Sequence, residues 1–360
     1  MDVVIGRPVV LRAPYRVSTD ELEQDIKMRF GHPKLKVWLR QMRSTGVAER
    51  PWSAPPAVTF GRKGIGGRSR AAYAAARDRA VTAAGQALAR SGLGPGDIDV
   101  LVTTHTTSWT VPGLDVDLVG RLGLRPDVER IGLATAACVG GAHGLVHAVR
   151  SLRGRGGGRA LMVASEDLST LYRSRPELRM QDVLYSGLFG DGAGAVVVSA
   201  VDRAGAGDLV AEGVWELVLP RSAKAYWSEI HEEGVSFEST KEATTAPGRV
   251  LPYLTGWLDG RPVDWAAVHP GGPQIIPGTL AGLGLDEETA GRHARDSLAG
   301  GNLGGVAILD VLERALGDAS VTGPGVAVAF GPGFTAAALY LTRVPGGRFE
   351  PAHPREGSGF

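Results

Sequence analysis

The chain has 360 residues, 43% of them hydrophobic and 21% charged, and its 39 basic and 38 acidic residues leave a formal net charge of +1. That balance excludes the broad electrostatic footprint needed if nucleic acid or an anionic membrane were the main partner, and no apolar run approaches the ~20 residues of a membrane helix. One cysteine, Cys138, excludes an intrachain disulfide scaffold, a Cys-rich zinc site and two-cysteine chemistry within one chain.

The opening MDVVIGRPVVLRAPYR has no apolar h-region with a small-residue cleavage site, so a cytoplasmic protein is expected. The segment Ser69 to Ser91 is rich in strong helix formers, spaces Ala75, Val81 and Leu88 near helical intervals and meets Gly92, which predicts a helix. Short apolar strands follow at VLVTTHT, IGLAT, ALMVAS, AVVVSA, WAAVHP and VAVAFG, with helical stretches such as VGGAHGLVHAVRSLR and VAILDVLERAL between them. Buried parallel-type strands alternating with helices predict a layered α/β protein, and both halves repeat a strand that stops at a polar or Gly-rich bend and runs into a helix. RGRGGGR (153 to 159) follows a helix and precedes a strand, the reverse of the order a phosphate-cradling loop requires, and reads as a solvated connection. Residues 203 to 260 scatter Trp215, Trp227, Phe237 and Tyr253 through polar sequence and read as a lid or cavity-lining excursion. The last 16 residues, 345 to 360, read as a loosely held tail.

Cys138 lies between a small-residue strand, IGLATAA, and a helical stretch. At such a turn free N–H groups and the helix dipole stabilise a thiolate, as a nucleophile requires; a buried cysteine acting as a small hydrophobe is the alternative. His269 ends the strand WAAV and is held by Pro270-Gly271-Gly272-Pro273, a bend that suits a histidine polarising a thiol or carbonyl. His105, at another strand end, is its competitor. His143 and His147 are four apart on one helix, but with no third ligand apparent, packing is the better reading and no metal site is assigned. Asn302, in GGNLGG, is the only asparagine in the chain. It either caps a helix or supplies a neutral amide donor to a developing oxyanion or enolate. AFGPGF and LFGDGAGAVVVS each read alone as a plain turn beside a strand.

In this order, TTSWTVPG, LGLRPDVERI, the Cys138 segment, ALMVASED, LFGDGAGAVVV, WAAVHPGGPQI, GNLGG and FGPGF resemble the type III polyketide synthases, the chalcone synthase-like branch of the thiolase superfamily. The matching stretches span roughly residues 97 to 340, and KVWLRQMRSTGVAERPW fits loosely. The resemblance implies a five-layer αβαβα fold of two similar halves, divided here as 1 to 205 and 206 to 344, working as a homodimer on acyl-CoA and malonyl-CoA with no metal or redox cofactor. A carrier-protein donor remains open. It implies that Cys138 accepts the acyl group, that His269 is its ion-pair partner, and that His269 and Asn302 hold the malonyl thioester carbonyl during decarboxylation.

Phe189, before the GDG turn, and Phe237, in GVSF, match the family's two gatekeeping aromatics, while Gly331, Pro332 and Gly333 match the loop that shapes the cyclisation cavity. Thr107 and Val111 lie in TTSWTVPG, which is one residue shorter than the plant pattern, and Val111 replaces a methionine that reaches into the partner's cavity. Leu168 and Leu171 stand where plant enzymes carry threonines, and Gly304 replaces a serine. These departures imply a more apolar cavity and an aliphatic starter, extended to an alkylpyrone or alkylresorcinol type product. Arg40, Arg43 and Arg50 are the candidates for the coenzyme A phosphates, against a solvated helix face. Among rivals, the initiating ketoacyl-carrier-protein synthase has Gln-Ala-Asn after its histidine where this chain has Pro-Gly-Gly. Thiolases need a second cysteine, hydroxymethylglutaryl-CoA synthases a catalytic glutamate, and a non-catalytic binding subunit usually loses one of the three residues present here.

Overall fold

In the computed structural model, residues 1–172 and 177–346 are described. Strands β1 (Asp2–Ile5), β2 (Val9–Arg12) and β3 (Tyr15–Ser18) lead to helices α1 (Thr19–Arg29) and α2 (Leu35–Arg43), then to β4 (Glu49–Trp52), α3 (Pro56–Gly61) and α4 (Gly64–Arg90). Next come β5 (Val100–Thr104), α5 (Leu114–Leu122), β6 (Glu129–Leu133), α6 (Gly140–Arg155), β7 (Arg159–Glu166), α7 (Met180–Leu188) and β8 (Gly192–Val201). The chain continues through β9 (Leu209–Val218), β10 (Tyr226–His231), β11 (Gly234–Ser239), α8 (Glu242–Leu258), β12 (Trp265–Val268), α9 (Ile275–Gly282), α10 (Glu287–Ala290), α11 (Arg292–Ala299), α12 (Ala307–Gly317), β13 (Gly323–Gly331) and β14 (Thr335–Arg343).

The main sheet runs β12-β13-β14-β9-β1-β8-β7-β5-β6, with β2 also on β8. Its two halves follow one plan. In the first, β5 is parallel to β7, β7 antiparallel to β8, and β8 antiparallel to β1. In the second, β12 is parallel to β13, β13 antiparallel to β14, and β14 antiparallel to β9. Strand β1 pairs with β8 and β9 and so joins them.

Alternation along the strands creates the layers. In β7, Ala160, Met162 and Ala164 face the central core, while Leu161 and Val163 face a second core shared with Ala80, Ala83, Ala84 and Ala87 of α4. Helix α6 touches β5, β7 and β8 of one half-sheet and β9, β13 and β14 of the other; α12 likewise touches β2 and β8, and β12 and β13. With α4 and α5 outside the first half-sheet, and α8, α9 and α11 outside the second, the order is αβαβα, the thiolase-like class expected from the sequence.

Glycines let the central layer close. A Cβ on Gly141 of α6 would lie 2.2 Å from the Gly305 carbonyl oxygen, and one on Gly144 would lie 2.3 Å from Met162 Cε. Helix α4 is longer than expected because its first turn is completed from outside: the Gly64 N–H donates to the Glu233 carboxylate (3.2 Å) and the Ile65 N–H to the Glu232 carbonyl (2.7 Å), both at the tip of the β10–β11 hairpin. The segment from 203 to 260 is not simply an excursion. Its β9 is a central strand of the sheet, and only the β10–β11 hairpin and the start of α8 reach a cavity. The tail assigned to 345–360 lies, from residue 347, outside the described residues. No helix of the described residues is long and apolar enough to cross a membrane.

Candidate active site

Three distant parts of the chain deliver Cys138, His269 and Asn302 to one cavity of about 370 Å³. Cys138 sits in a 3-10 turn, Ala137–Val139, that feeds α6. The residue before it, Ala137, has φ 48°, a left-handed conformation that costs a non-glycine residue about 1–3 kcal/mol. Its N–H is held by Thr106 Oγ1 at 3.0 Å, which fixes the turn. His269 leaves β12 with its N–H on the Val328 carbonyl (2.9 Å), and the Gly271 N–H returns to the His269 carbonyl (2.9 Å). Asn302 is stitched beside the end of α7: its N–H donates to Leu188 O and its carbonyl accepts from the Gly190 N–H, each at 2.9 Å. Its side-chain Oδ1 accepts from the Gly304 N–H at 2.9 Å, which leaves the NH₂ end as the donor for the cavity.

All three are nearly sealed from solvent, with exposures of 6%, 2% and 1%. Burial therefore favours neutral groups. The Cys138 thiol is pushed up to about 12, first by desolvation and then by the charge of Glu166, against smaller opposing contributions from its own backbone, Tyr226 and Asn302. His269 is lowered to about 4 by desolvation, opposed by the Asn302 side chain. Desolvation in this cavity opposes both charged forms, against the pull of the helix start on a thiolate. Neither His269 ring nitrogen has a hydrogen-bond partner, so both are available to a ligand.

Of the expected lining residues, Phe189 and Gly331 share this cavity. Thr107, Leu171, Phe237 and Pro332 line another, of about 230 Å³. Between the two stands an aromatic wall: Tyr185 stacks on Phe189 (5.4 Å), and Tyr226 stacks on Phe237 (5.4 Å). Gly333 turns with φ 102° and donates its N–H to the Tyr226 carbonyl (3.0 Å). Leu168 lines neither cavity. It is buried against Gly304, where φ is +60° and a Cβ would come within 2.9 Å of the leucine, so a larger residue there would be strained. Val111 is fully exposed (101%) and lines a different cavity with His105, Ser108 and Trp109. His105 is committed elsewhere, to the Ser165 carbonyl (2.7 Å) and to Ser108 Oγ.

The expectation for Arg50 is corrected. Arg50 is 1% exposed and spends its guanidinium on the Gly187 and Val17 carbonyls (both 3.1 Å) and Thr19 Oγ1 (2.6 Å), clamping the structure beneath the site rather than meeting phosphate. Arg43 is neutralised by Asp20 (2.6 Å) and Glu23 (2.5 Å). Arg40 is exposed on α2, while the residues of that region that reach the cavity are Gln41, Ser44 and Thr45. His143 and His147 face Glu216 (3.3 and 3.9 Å), which Arg150 also contacts, and no metal-type cluster of three is found among the described residues.

Sequence reading missed Tyr226, Tyr185, Met180, Leu184 and Ile275 on the cavity wall and Glu166 beneath the cysteine turn. A signal existed for Tyr226. Reading YWSEIH and GVSFES as a hairpin about HEEG pairs Ser228 with Phe237 and puts Tyr226 on the same face, diagonal to Phe237.

Comparison with known proteins agrees with this geometry. The family model for the N-terminal domain of chalcone and stilbene synthases matches residues 15–202, more than half of the chain. The 1,3,6,8-tetrahydroxynaphthalene synthase of Streptomyces coelicolor is 28% identical over 340 residues, covering 92% of this chain and 89% of that protein; its Streptomyces griseus counterpart is 27% identical, covering 92% and 90%. Among solved structures, germicidin synthase of Streptomyces coelicolor, a type III polyketide synthase, has a TM-score of 0.88 at 26% identity and covers 96% of this chain and 100% of its own. The 1,3,6,8-tetrahydroxynaphthalene synthase structure gives the same score and identity, covering 95% and 100%. The chain belongs to the chalcone and stilbene synthase family and is a type III polyketide synthase.

Proposed function

We propose that this synthase holds an aliphatic acyl starter as a thioester on Cys138 and extends it with malonyl-CoA to an alkylpyrone or alkylresorcinol type product. The convergence of Cys138, His269 and Asn302 on one cavity carries the catalytic part of the reading. The apolar wall of Met180, Leu184, Leu188, Ile275 and Phe334 supports the starter class.

In this reading Cys138 attacks the acyl-CoA carbonyl, its proton passes to His269, and His269 returns that proton to the departing sulfur, so that coenzyme A leaves as the thiol and His269 is neutral again. Malonyl-CoA then loses carbon dioxide. The resulting enolate oxygen is held by two neutral donors, the His269 N–H and the Asn302 NH₂. The low proton affinity of His269 suits this role, since a neutral imidazole hydrogen-bonds the enolate without protonating it. The enolate carbon attacks the Cys138 thioester, and the sulfur departs with its electron pair. A homodimer in which the exposed Val111 loop meets a second copy belongs to the same proposal.

Intact-protein mass spectrometry with a panel of acyl-CoA esters, followed by malonyl-CoA and product analysis, tests it. The expected result is an adduct with medium or long aliphatic starters, absent in Cys138→Ala, and multiply extended products. A panel that loads only malonyl or aromatic groups overturns the starter class; an adduct retained in Cys138→Ala overturns the nucleophile.

A further inference from the structure

The space around the Cys138 sulfur raises a question that the three residues above do not answer. Acylation and each later attack on the thioester put negative charge on that sulfur, yet no Lys or Arg is among the described residues lining the cavity. The charge that acts on the thiol, that of Glu166, has the wrong sign. Any stabilisation must come from neutral donors.

We infer that the Tyr226 hydroxyl is a further catalytic group of this site, a neutral donor that holds the Cys138 sulfur whenever it carries negative charge. The inference rests on the reading of Cys138 as the acyl acceptor. Tyr226 lines the same cavity as Cys138 and Asn302, and its phenol favours the charged form of the sulfur. Its ring is fixed from three sides. It stacks on Phe237 (5.4 Å, 25° between planes), lies 6.0 Å from Tyr185, and its backbone carbonyl accepts the Gly333 N–H at 3.0 Å. Tyr185 shows the contrast: the second phenol of the wall donates to Ser239 Oγ at 2.8 Å and is spent.

Burial raises the Tyr226 phenol well above its ordinary value, with the cysteine adding to the rise, so it keeps its proton and acts as donor, never as base. The groups that share the cavity with the sulfur are then Tyr226 from β10, His269 after β12 and Asn302 before α12, while the charge of Glu166 acts on it from the end of β7. When the thiol proton leaves for His269, the Tyr226 O–H shortens onto the sulfur. When the enolate attacks the thioester and the tetrahedral adduct collapses, the same O–H receives the departing sulfur and its electron pair. Tyr226 gains and loses no proton in either step.

The test measures alkylation of Cys138 by iodoacetamide against pH, and single-turnover acyl loading by intact mass, in the wild type, Tyr226→Phe and Tyr226→Leu. Phe keeps the stack on Phe237 and removes only the hydroxyl; Leu removes both. Hydrogen bonds to charged groups of this kind imply about tenfold slower loading, or more, in Tyr226→Phe, with the alkylation profile displaced to higher pH. If Tyr226→Phe follows the wild type and only Tyr226→Leu departs, Tyr226 is a wall and the inference is overturned. A wild-type adduct that survives Cys138→Ala overturns the underlying reading instead, so the two failures are distinguishable.

Discussion

The turn that carries Cys138 and the turn that follows Asn302 occupy corresponding places in the two half-sheets. Each is a 3-10 segment, Ala137–Val139 or Gly304–Val306, running into a central helix, α6 or α12. They are built differently. The first turns through a strained alanine pinned by Thr106 and presents a sulfur; the second turns through Gly301 (φ 88°) and Gly304 (φ 60°) and presents an amide whose other end is locked by the Gly304 N–H. One repeated scaffold thus holds a nucleophile on one side and a fixed neutral donor on the other, and the two half-reactions are separable by mutation.

The largest test of that separation is Asn302→Ala. Removing one donor to a developing oxyanion costs about 10²–10³ in rate, or about 3–4 kcal/mol. Malonyl-CoA decarboxylation is expected to fall by that factor, while acyl loading on Cys138, followed by intact mass, falls far less. Equal loss of both would mean that the two turns do not divide the chemistry.

Gly141→Ala attacks the contact between the turns. The new methyl would stand 2.2 Å from the Gly305 carbonyl and 2.6 Å from Ile308 Cγ2, with backbone on one side that cannot yield as a side chain does. Overpacking of this kind costs about 1–3 kcal/mol. A lowered thermal midpoint is expected, with loading and decarboxylation reduced together because both turns shift. An unchanged midpoint would show that α6 and α12 can separate without consequence.

The layered α/β class and the strand-to-helix order of β5–α5, β6–α6 and β12–α9 were legible because buried parallel strands are near-continuous apolar runs, as in Ala160 to Ala164. Cys138, His269 and Asn302 were legible as residues whose chemistry suits a bend, and their order along the chain raised a family resemblance. What the sequence hid was set by tertiary contacts. The helix start at Gly64 depends on carbonyl and carboxylate groups of Glu232 and Glu233, nearly 170 residues away. Arg50 looks like any surface cation until the fold wraps Val17, Thr19 and Gly187 around it. A helix start that favours a Cys138 thiolate is visible in sequence, whereas the desolvation that opposes it is not.

Glu166 gives the finest test, because it lies under both turns. Its Oε2 accepts the Thr106 N–H (3.2 Å), Oε1 has no partner, and a Cβ on Gly305 would touch Oε1 at 3.6 Å. Desolvation raises this carboxyl to about 7, opposed by its Thr106 and Thr107 hydrogen bonds. Below that pH it is neutral in the folded protein and leaves Cys138 alone; above it, its charge opposes the thiolate. Glu166→Gln is therefore expected to match wild-type alkylation near pH 6 and to exceed it several-fold at pH 8–9, the opposite displacement to Tyr226→Phe. The same group affects stability. Between its unfolded value near 4.5 and about 7 the folded chain holds a proton that the unfolded chain has released, so stability falls as pH rises across that window, by about 3 kcal/mol in all. Asp191, raised by desolvation and by the neighbouring charge of Asp167, contributes a slope of the same sign. Glu166→Gln should thus flatten the pH dependence of the thermal midpoint only in part, leaving the Asp191 share, and a slope identical to the wild type would mean that Glu166 is already ionised at pH 5.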